Sequence, residues 1–323
     1  MCRAGGVRGA DRTRFPPEGG AGPRRYDRSV AGDGTVVGLP RTSGALVPLR
    51  REEWEPESEL HDPRLSDVDE WGRSENIRAL VRRLYDPIYR QWFRAEWEGL
   101  DKIPAQGGAL IVANHAGGLW PLDAVMTALA VHDEHPAGRF LRMLGANLLF
   151  STPGLGAAAR KTGSTLACRE DAERLLTSGE LVGVWPEGFK GIGKPFVERY
   201  KLQRFGRGGF VHAALTCGVP IIPVAIIGAE EIHPVLANAK LLARLFDLPY
   251  FPITPTFPWL GPLGLVPLPS KWYIEFGEPI HTESLGAEAA DDAAIVFDLT
   301  DRVRETIQST LYRLLVQRRS VWR

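Results

Sequence analysis

In the stretch SENIRALVRRLYDPIYRQWFRAEW (residues 74–97), Ile77, Leu80, Val81, Leu84, Ile88, Trp92 and Phe93 recur at helical spacing, with Arg78, Arg82, Arg83, Arg90 and Arg94 largely between them. The spacing predicts an amphipathic helix that Pro87 kinks or splits in two. From Leu100 onward, short apolar runs alternate with helical ones. GALIVANH (108–115), STLA (164–167), LVGVW (181–185), VPIIPVAIIG (219–228) and KWYIEFGEPI (271–280) read as strands. PLDAVMTALAV (121–131), REDAERLLTSG (169–179) and GGFVHAALTCG (208–218) read as helices, and 287–319 as long C-terminal helices. Strands interleaved with helices predict an α/β domain, a mostly parallel central sheet flanked by helices.

The first sixty or so residues lack any such periodicity and are rich in Gly, Pro and Arg, a composition that buries too little apolar surface to order itself. The expected organisation is a disordered tail over 1–70, an amphipathic helical segment over 74–98 and one domain over 99–320. Lys plus Arg and Asp plus Glu balance at 39 each, so no global field favours nucleic acid as a partner. Cys2, Cys168 and Cys217 are too few and too scattered for a disulfide framework or a zinc site, which points to a reducing cytosolic setting. The N-terminus lacks the apolar core of a signal peptide. The longest apolar stretches, 210–229 and 245–269, are interrupted by His212, Gly218, Pro220 and Pro223 in the first and by many prolines in the second, so neither reads as transmembrane.

Two loops carry candidate chemistry. NHAGGLWPLD puts His115 at the end of a buried strand and Asp123 in the first turn of a helix starting at Pro121. Loops leaving strand C-termini are where sites assemble in α/β folds. A carboxylate there can accept a hydrogen bond from one imidazole nitrogen, orient the ring and leave the other nitrogen as a base. The same residues also read as an ordinary loop with a structural histidine. In GVWPEGFKGIGKPF, a strand is followed by Pro186, Glu187, Gly188, Lys190, Gly191 and Gly193, whose free amides and cation suit an anionic group. A plain turn is the alternative, and the spacing is not that of a P-loop.

Together these blocks resemble those of the glycerolipid acyltransferase superfamily, which includes the bacterial 1-acyl-glycerol-3-phosphate acyltransferases. NHAGGLWPLD is similar to its His–Asp block, GSTLACR (163–169) to its second, WPEGFK to its third (usually F-P-E-G-T-R) and VPIIPV (219–224) to its fourth. Two departures stand out. Asp123 lies eight positions after His115 where the family usually has H-x-x-x-x-D, and Lys190 replaces the usual arginine, keeping the charge but not the bidentate fork.

The resemblance implies a glycerolipid acyltransferase-like fold and direct acyl transfer without an acyl-enzyme. His115, oriented by Asp123, would take the proton of an acceptor hydroxyl that attacks the thioester of acyl-CoA or acyl carrier protein. Backbone amides at Gly117 and Gly118 would meet the developing oxyanion. Arg169, Glu187, Gly188 and Lys190 would position the acceptor headgroup. The expected acceptor is 1-acyl-glycerol-3-phosphate, in phospholipid synthesis, with diacylglycerol or another neutral lipid as the alternative. No cofactor and no metal is implied, since the acyl carrier is a substrate.

The remaining features fit around this expectation. Lys194, Arg199, Lys201, Arg204 and Arg207 form a basic run that either attracts phosphates or is a solvated loop. His132 and His135 read as a helix end rather than a metal site, His212 as a packed helix residue, and Ser164 lacks a nucleophile elbow. The uncharged, proline-rich LPYFPITPTFPWLGPLGLVPLPS (248–270) suits contact with lipid or an acyl groove; a buried cover is the alternative. With the arginine-bearing helix it predicts a peripheral enzyme at the cytoplasmic face of the membrane, touching membrane lipids through 74–97, Phe257 and Trp259. Two rivals stand beside this reading. One is a lipid hydrolase in which His115 activates water. The other is a lipid-binding protein whose stretched loop holds His115 and Asp123 too far apart to hydrogen-bond.

Overall fold

The two most apolar runs of the chain lie side by side at the centre of a seven-stranded sheet, and the rest of the fold serves to cover them. The computed structural model describes residues 67–152 and 154–322. Its strands are β1 (Glu96–Glu98), β2 (Ala109–Ala113), β3 (Leu141–Gly145), β4 (Thr165–Leu166), β5 (Leu181–Val184), β6 (Ile221–Ile227), β7 (Ala237–Asn238), β8 (Pro252–Ile253) and β9 (Tyr273–Phe276). Its α-helices are α1 (Glu75–Pro87), α2 (Leu122–Glu134), α3 (Asn147–Ser151), α4 (Leu155–Lys161), α5 (Arg169–Thr177), α6 (Phe189–Ile192), α7 (Gly209–Cys217), α8 (Lys240–Leu245) and α9 (Ala293–Gln317).

The sheet order is β1-β9-β6-β2-β5-β3-β4, and β7 pairs with β8 in a separate antiparallel hairpin. Strands β6, β2, β5, β3 and β4 run parallel; β9 is antiparallel to β6, and β1 is parallel to β9. Every residue of β2 and β6 is buried, as a parallel strand covered on both faces requires. Ala109, Ile111, Ala113, Ile222, Val224 and Ile226 face a core shared with α2 and with Tyr89, Phe93 and Trp272. The alternate residues Leu110, Val112, Ile221, Ala225 and Ile227 face α5, α7 and α9. Helix α9 contributes Leu299, Val303, Ile307, Leu311 and Leu314, a stripe at three- and four-residue spacing. Among the described residues no helix is long and apolar enough to cross a membrane.

The mostly parallel α/β sheet is the architecture the pattern predicts; three local expectations need correction. First, the 74–98 segment is not helical throughout. Helix α1 starts at Ser74, whose hydroxyl accepts from Ile77 N at 3.2 Å. Beyond Pro87 it widens into a π-turn over Ile88–Trp92, which accommodates the missing proline donor. Arg94 then adopts φ 47 and turns the chain into edge strand β1. Second, β3 had no apolar signature because Arg142 is its second residue, buried and paired with Asp69 at 2.5 Å and Glu180 at 2.9 Å. Third, that Asp69 contact ties residues 67–70, expected in the tail, onto the domain; residues 1–66 lie outside the described part.

Trp272 is wholly buried and stacks on Phe93 with ring centroids 4.7 Å apart, joining the N-terminal segment to the sheet. Trp272→Ala is expected to cost about 3–5 kcal/mol. The measurement is a lowered urea midpoint with an unchanged slope.

Candidate active site

The site forms where β2 ends. Asn114 prolongs the sheet pairing by one residue: its Nδ2 donates to Ile226 O at 2.9 Å, and its Oδ1 accepts from Ile226 N at 2.7 Å. The chain then turns away and delivers His115, whose main-chain N–H donates to Glu187 Oε1 at 2.8 Å. His115 Nδ1 lies 2.7 Å from Asp123 Oδ2. Asp123 is wholly buried and also accepts from Ala116 N at 2.9 Å and Ala124 N at 2.8 Å. Its position in the first turn of α2 adds the favourable end of that helix. A carboxylate accepts only, so the imidazole carries its proton on Nδ1, and Nε2 is left as the ring's acceptor.

The long spacing between the pair is absorbed by a compact loop, in which Leu119 N donates to Gly117 O at 2.7 Å and Leu122 N to Trp120 O at 2.8 Å. Gly117 and Gly118 adopt φ 127 and 69, and a Cβ on either would come within 2.3 Å of Trp120 O or 2.7 Å of His233 O. The separation that an inactive loop would require is therefore not found. Of the two expected oxyanion donors, Gly118 is corrected: its N–H donates to Ile192 O at 3.0 Å. The Gly117 N–H has no protein acceptor among the described residues.

The expected headgroup ligands divide. Glu187 is buried, and its two oxygens hold main chain: Oε1 accepts from His115 N, and Oε2 from Gln203 N at 2.6 Å. A carboxylate so occupied supports the His115 loop instead of reaching for a headgroup. Lys194 is also interior, 2.9 Å from Glu230 and 3.7 Å from Glu187, so it leaves the expected basic surface. The Gly188 N–H is used by Trp185 O at 3.0 Å. Lys190 is exposed and has no ion pair among the described residues. Its neighbour Gly191 abuts the site, where a Cβ would lie 2.8 Å from His115 O. Arg169 is mostly exposed, with Glu173 no closer than 3.8 Å. His132 stacks on Phe140 at 4.7 Å, and His135 bonds to Ile103 O at 3.0 Å.

Sequence reasoning missed Tyr250 and His233. The Tyr250 hydroxyl donates to Gly118 O at 2.6 Å, and His233 Nδ1 donates to Gly117 O at 3.1 Å. Burial and the nearby Asp123 charge push the Tyr250 phenol up, so it remains a donor. Neither residue lies in a motif, and no periodicity marks them.

A family model described as Acyltransferase matches residues 94–227, which hold the His115, Asp123 and Glu187 constellation. An uncharacterized protein of Mycobacterium tuberculosis is 59% identical over 256 residues, covering 79% of this chain and 71% of that one. The chain belongs to the acyltransferase family. Its enzyme class is thereby that of the acyltransferases. The human "DGAT1/2-independent enzyme synthesizing storage lipids" is 26% identical over 264 residues, covering 78% of this acyltransferase and 77% of the human chain. The crystal structure of the 1-acyl-sn-glycerophosphate acyltransferase PlsC from Thermotoga maritima aligns at 20% identity with a TM-score of 0.48, covering 76% of this chain and 84% of that one.

Burial raises Glu230 from 4.5 to about 7, against the pull of Lys194. The folded protein thus binds more protons than the unfolded chain between those values, so this group's contribution to stability is lost as pH rises through the window. Glu230→Gln is expected to flatten that slope, read as urea midpoints across the window.

Proposed function

We propose that the protein transfers a fatty acyl group from acyl-CoA or acyl carrier protein to a lipid hydroxyl by general-base catalysis. The observation that carries the reading is the 2.7 Å contact between His115 Nδ1 and Asp123 Oδ2. Nε2 takes the proton of the acceptor hydroxyl as its oxygen attacks the thioester carbonyl carbon. The carbonyl oxygen gains negative charge, for which the Gly117 N–H is a loop donor without a protein acceptor among the described residues. The C–S bond then breaks, the carbonyl reforms as an ester, and the proton on Nε2 passes to the departing thiolate. His115 returns to its starting state without a covalent intermediate.

For the acceptor, 1-acyl-glycerol-3-phosphate is favoured by Lys190, a free cation one residue from the backbone that touches His115, with Arg169 as a second exposed cation. Gly188 shapes the turn with φ 56 while its amide is already bonded. Diacylglycerol is the second reading, favoured by the storage-lipid role in the name of the human relative. The enzyme works at the cytoplasmic face of the membrane as a peripheral protein. Supporting this are the exposed apolar side chains of residues 236–266, which lie beside the catalytic loop.

The test is thiol release from long-chain acyl-CoA by the full chain with lysophosphatidic acid, diacylglycerol or no acceptor, with product identification. Release is expected to require one acceptor and to fall by about 10²–10⁴ in His115→Ala and Asp123→Asn. Equal release without acceptor would make the protein a hydrolase. Release that His115→Ala leaves intact would remove the proposed base.

A further inference from the structure

The segment after β6 leaves the domain as a hairpin with a helix at its tip. Strands β7 and β8 form the stem, closed by Leu236 N to Ile253 O at 2.8 Å and Ala239 N to Phe251 O at 2.9 Å, and α8 lies between them. Helix α8 exposes Leu241 at 80% and Leu245 at 74%, beside the exposed Lys240 and Arg244. The loop that follows β8 presents Trp259 at 70% and Leu263 at 71%. Phe246, Phe251 and Phe257 join the two parts through ring contacts at 6.0 and 5.5 Å, so helix tip and loop form one continuous surface. From Ile232 to Ser270 the charged side chains, His233 aside, are Lys240, Arg244 and Asp247. Lys240 and Arg244 have no acidic partner among the described residues. An apolar surface of this kind without a polar network, carrying two unpaired cations, matches the chemistry of an anionic lipid interface.

Helix α1, the other amphipathic face, is differently placed. Its Arg82 is paired with Asp133 at 2.8 Å, and Arg90, in the π-turn that follows it, with Asp86 at 2.8 Å and Glu134 at 3.3 Å. Through Asp133 and Glu134 these two cations hold the segment 75–92 to α2 and are not available to lipid headgroups. Phe257, half-buried against Phe251, belongs to the base of the surface rather than its face.

The same segment grips the catalytic loop. Tyr250, two residues before β8, donates to Gly118 O, and Trp120 Nε1 of the proposed catalytic loop donates to Leu265 O at 3.2 Å. Gly118 and Trp120 both belong to the loop that runs from His115 to Asp123. We propose that α8 and residues 259–266 insert into an anionic lipid surface, and that Tyr250 is the positioning residue through which this docked segment holds the His115–Asp123 loop. The proposal rests on the acyl-transfer reading only for its second half.

Co-sedimentation of the full chain with phosphatidylcholine vesicles containing phosphatidylglycerol reads the docking without any activity. The triple variant Leu241→Ser, Leu245→Ser and Leu263→Ser is expected to bind at least about tenfold more weakly. Leu80→Ser with Leu84→Ser on α1 is expected to bind as the parent does. Unchanged binding of the folded triple variant, loss confined to the α1 variant, or a change in oligomeric state in place of vesicle binding would each overturn the docking surface. Tyr250→Phe is expected to keep vesicle binding and the unfolding midpoint while lowering kcat at least about tenfold, with KM for the acceptor little changed. A Tyr250→Phe enzyme with the parent kcat would remove the coupling. A parent that binds vesicles through the α8 surface yet transfers no acyl group to any acceptor would sink the acyl-transfer reading and leave the docking surface standing.

Discussion

The site is organised around one carboxylate that has no contact with water. Asp123 accepts from a ring nitrogen and two main-chain amides, and each donor belongs to a different part of the turn from β2 into α2. A buried carboxylate is tolerable only when its oxygens are satisfied. The loop must therefore close on Asp123 whatever its length, and closing it orients His115. Three additional residues relative to the family's usual spacing change the path of the loop and leave this constraint in place.

A second buried acid works from the opposite side. Glu187 reaches from the β5 loop to the main chain of His115 and of Gln203, so it ties together segments that are separate in sequence. Lys194 and Glu230 continue inward from it, and Glu230 in turn accepts from Tyr200 N at 3.0 Å. Charges placed this deep contribute little net stability, but each lost partner would leave another uncompensated. They limit the geometries open to the two loops. The glycines at 117 and 118 let the backbone pass where a side chain would collide with Trp120 O or His233 O.

The alternation of strand and helix was legible in the chain because parallel strands covered on both faces are uninterrupted apolar runs, as β2 and β6 are. Strand β3 escaped because its Arg142 is buried by ion pairs to residues far away in sequence, and β1 because it is only three residues long and follows directly on the helical spacing that ends at Phe93. In the site, the His115 and Asp123 pairing was legible from residue type and from the strand-to-helix setting. The part played by Glu187 was not, since an exposed ligand and a buried brace have the same letter in a sequence.

Local pattern and composition by themselves determined the α/β class and the order of its main elements, because strand burial and helix starts depend on neighbouring residues, while the resemblance to a known family singled out His115. Tertiary structure alone decided what the polar residues do. Whether Lys194 faces water or Glu230, whether the Gly118 amide is free, and which apolar surface lies beside the catalytic loop all depend on contacts between residues far apart in the chain. Tyr250 and Gly118 meet across 132 positions, and no periodicity along the chain records such a meeting.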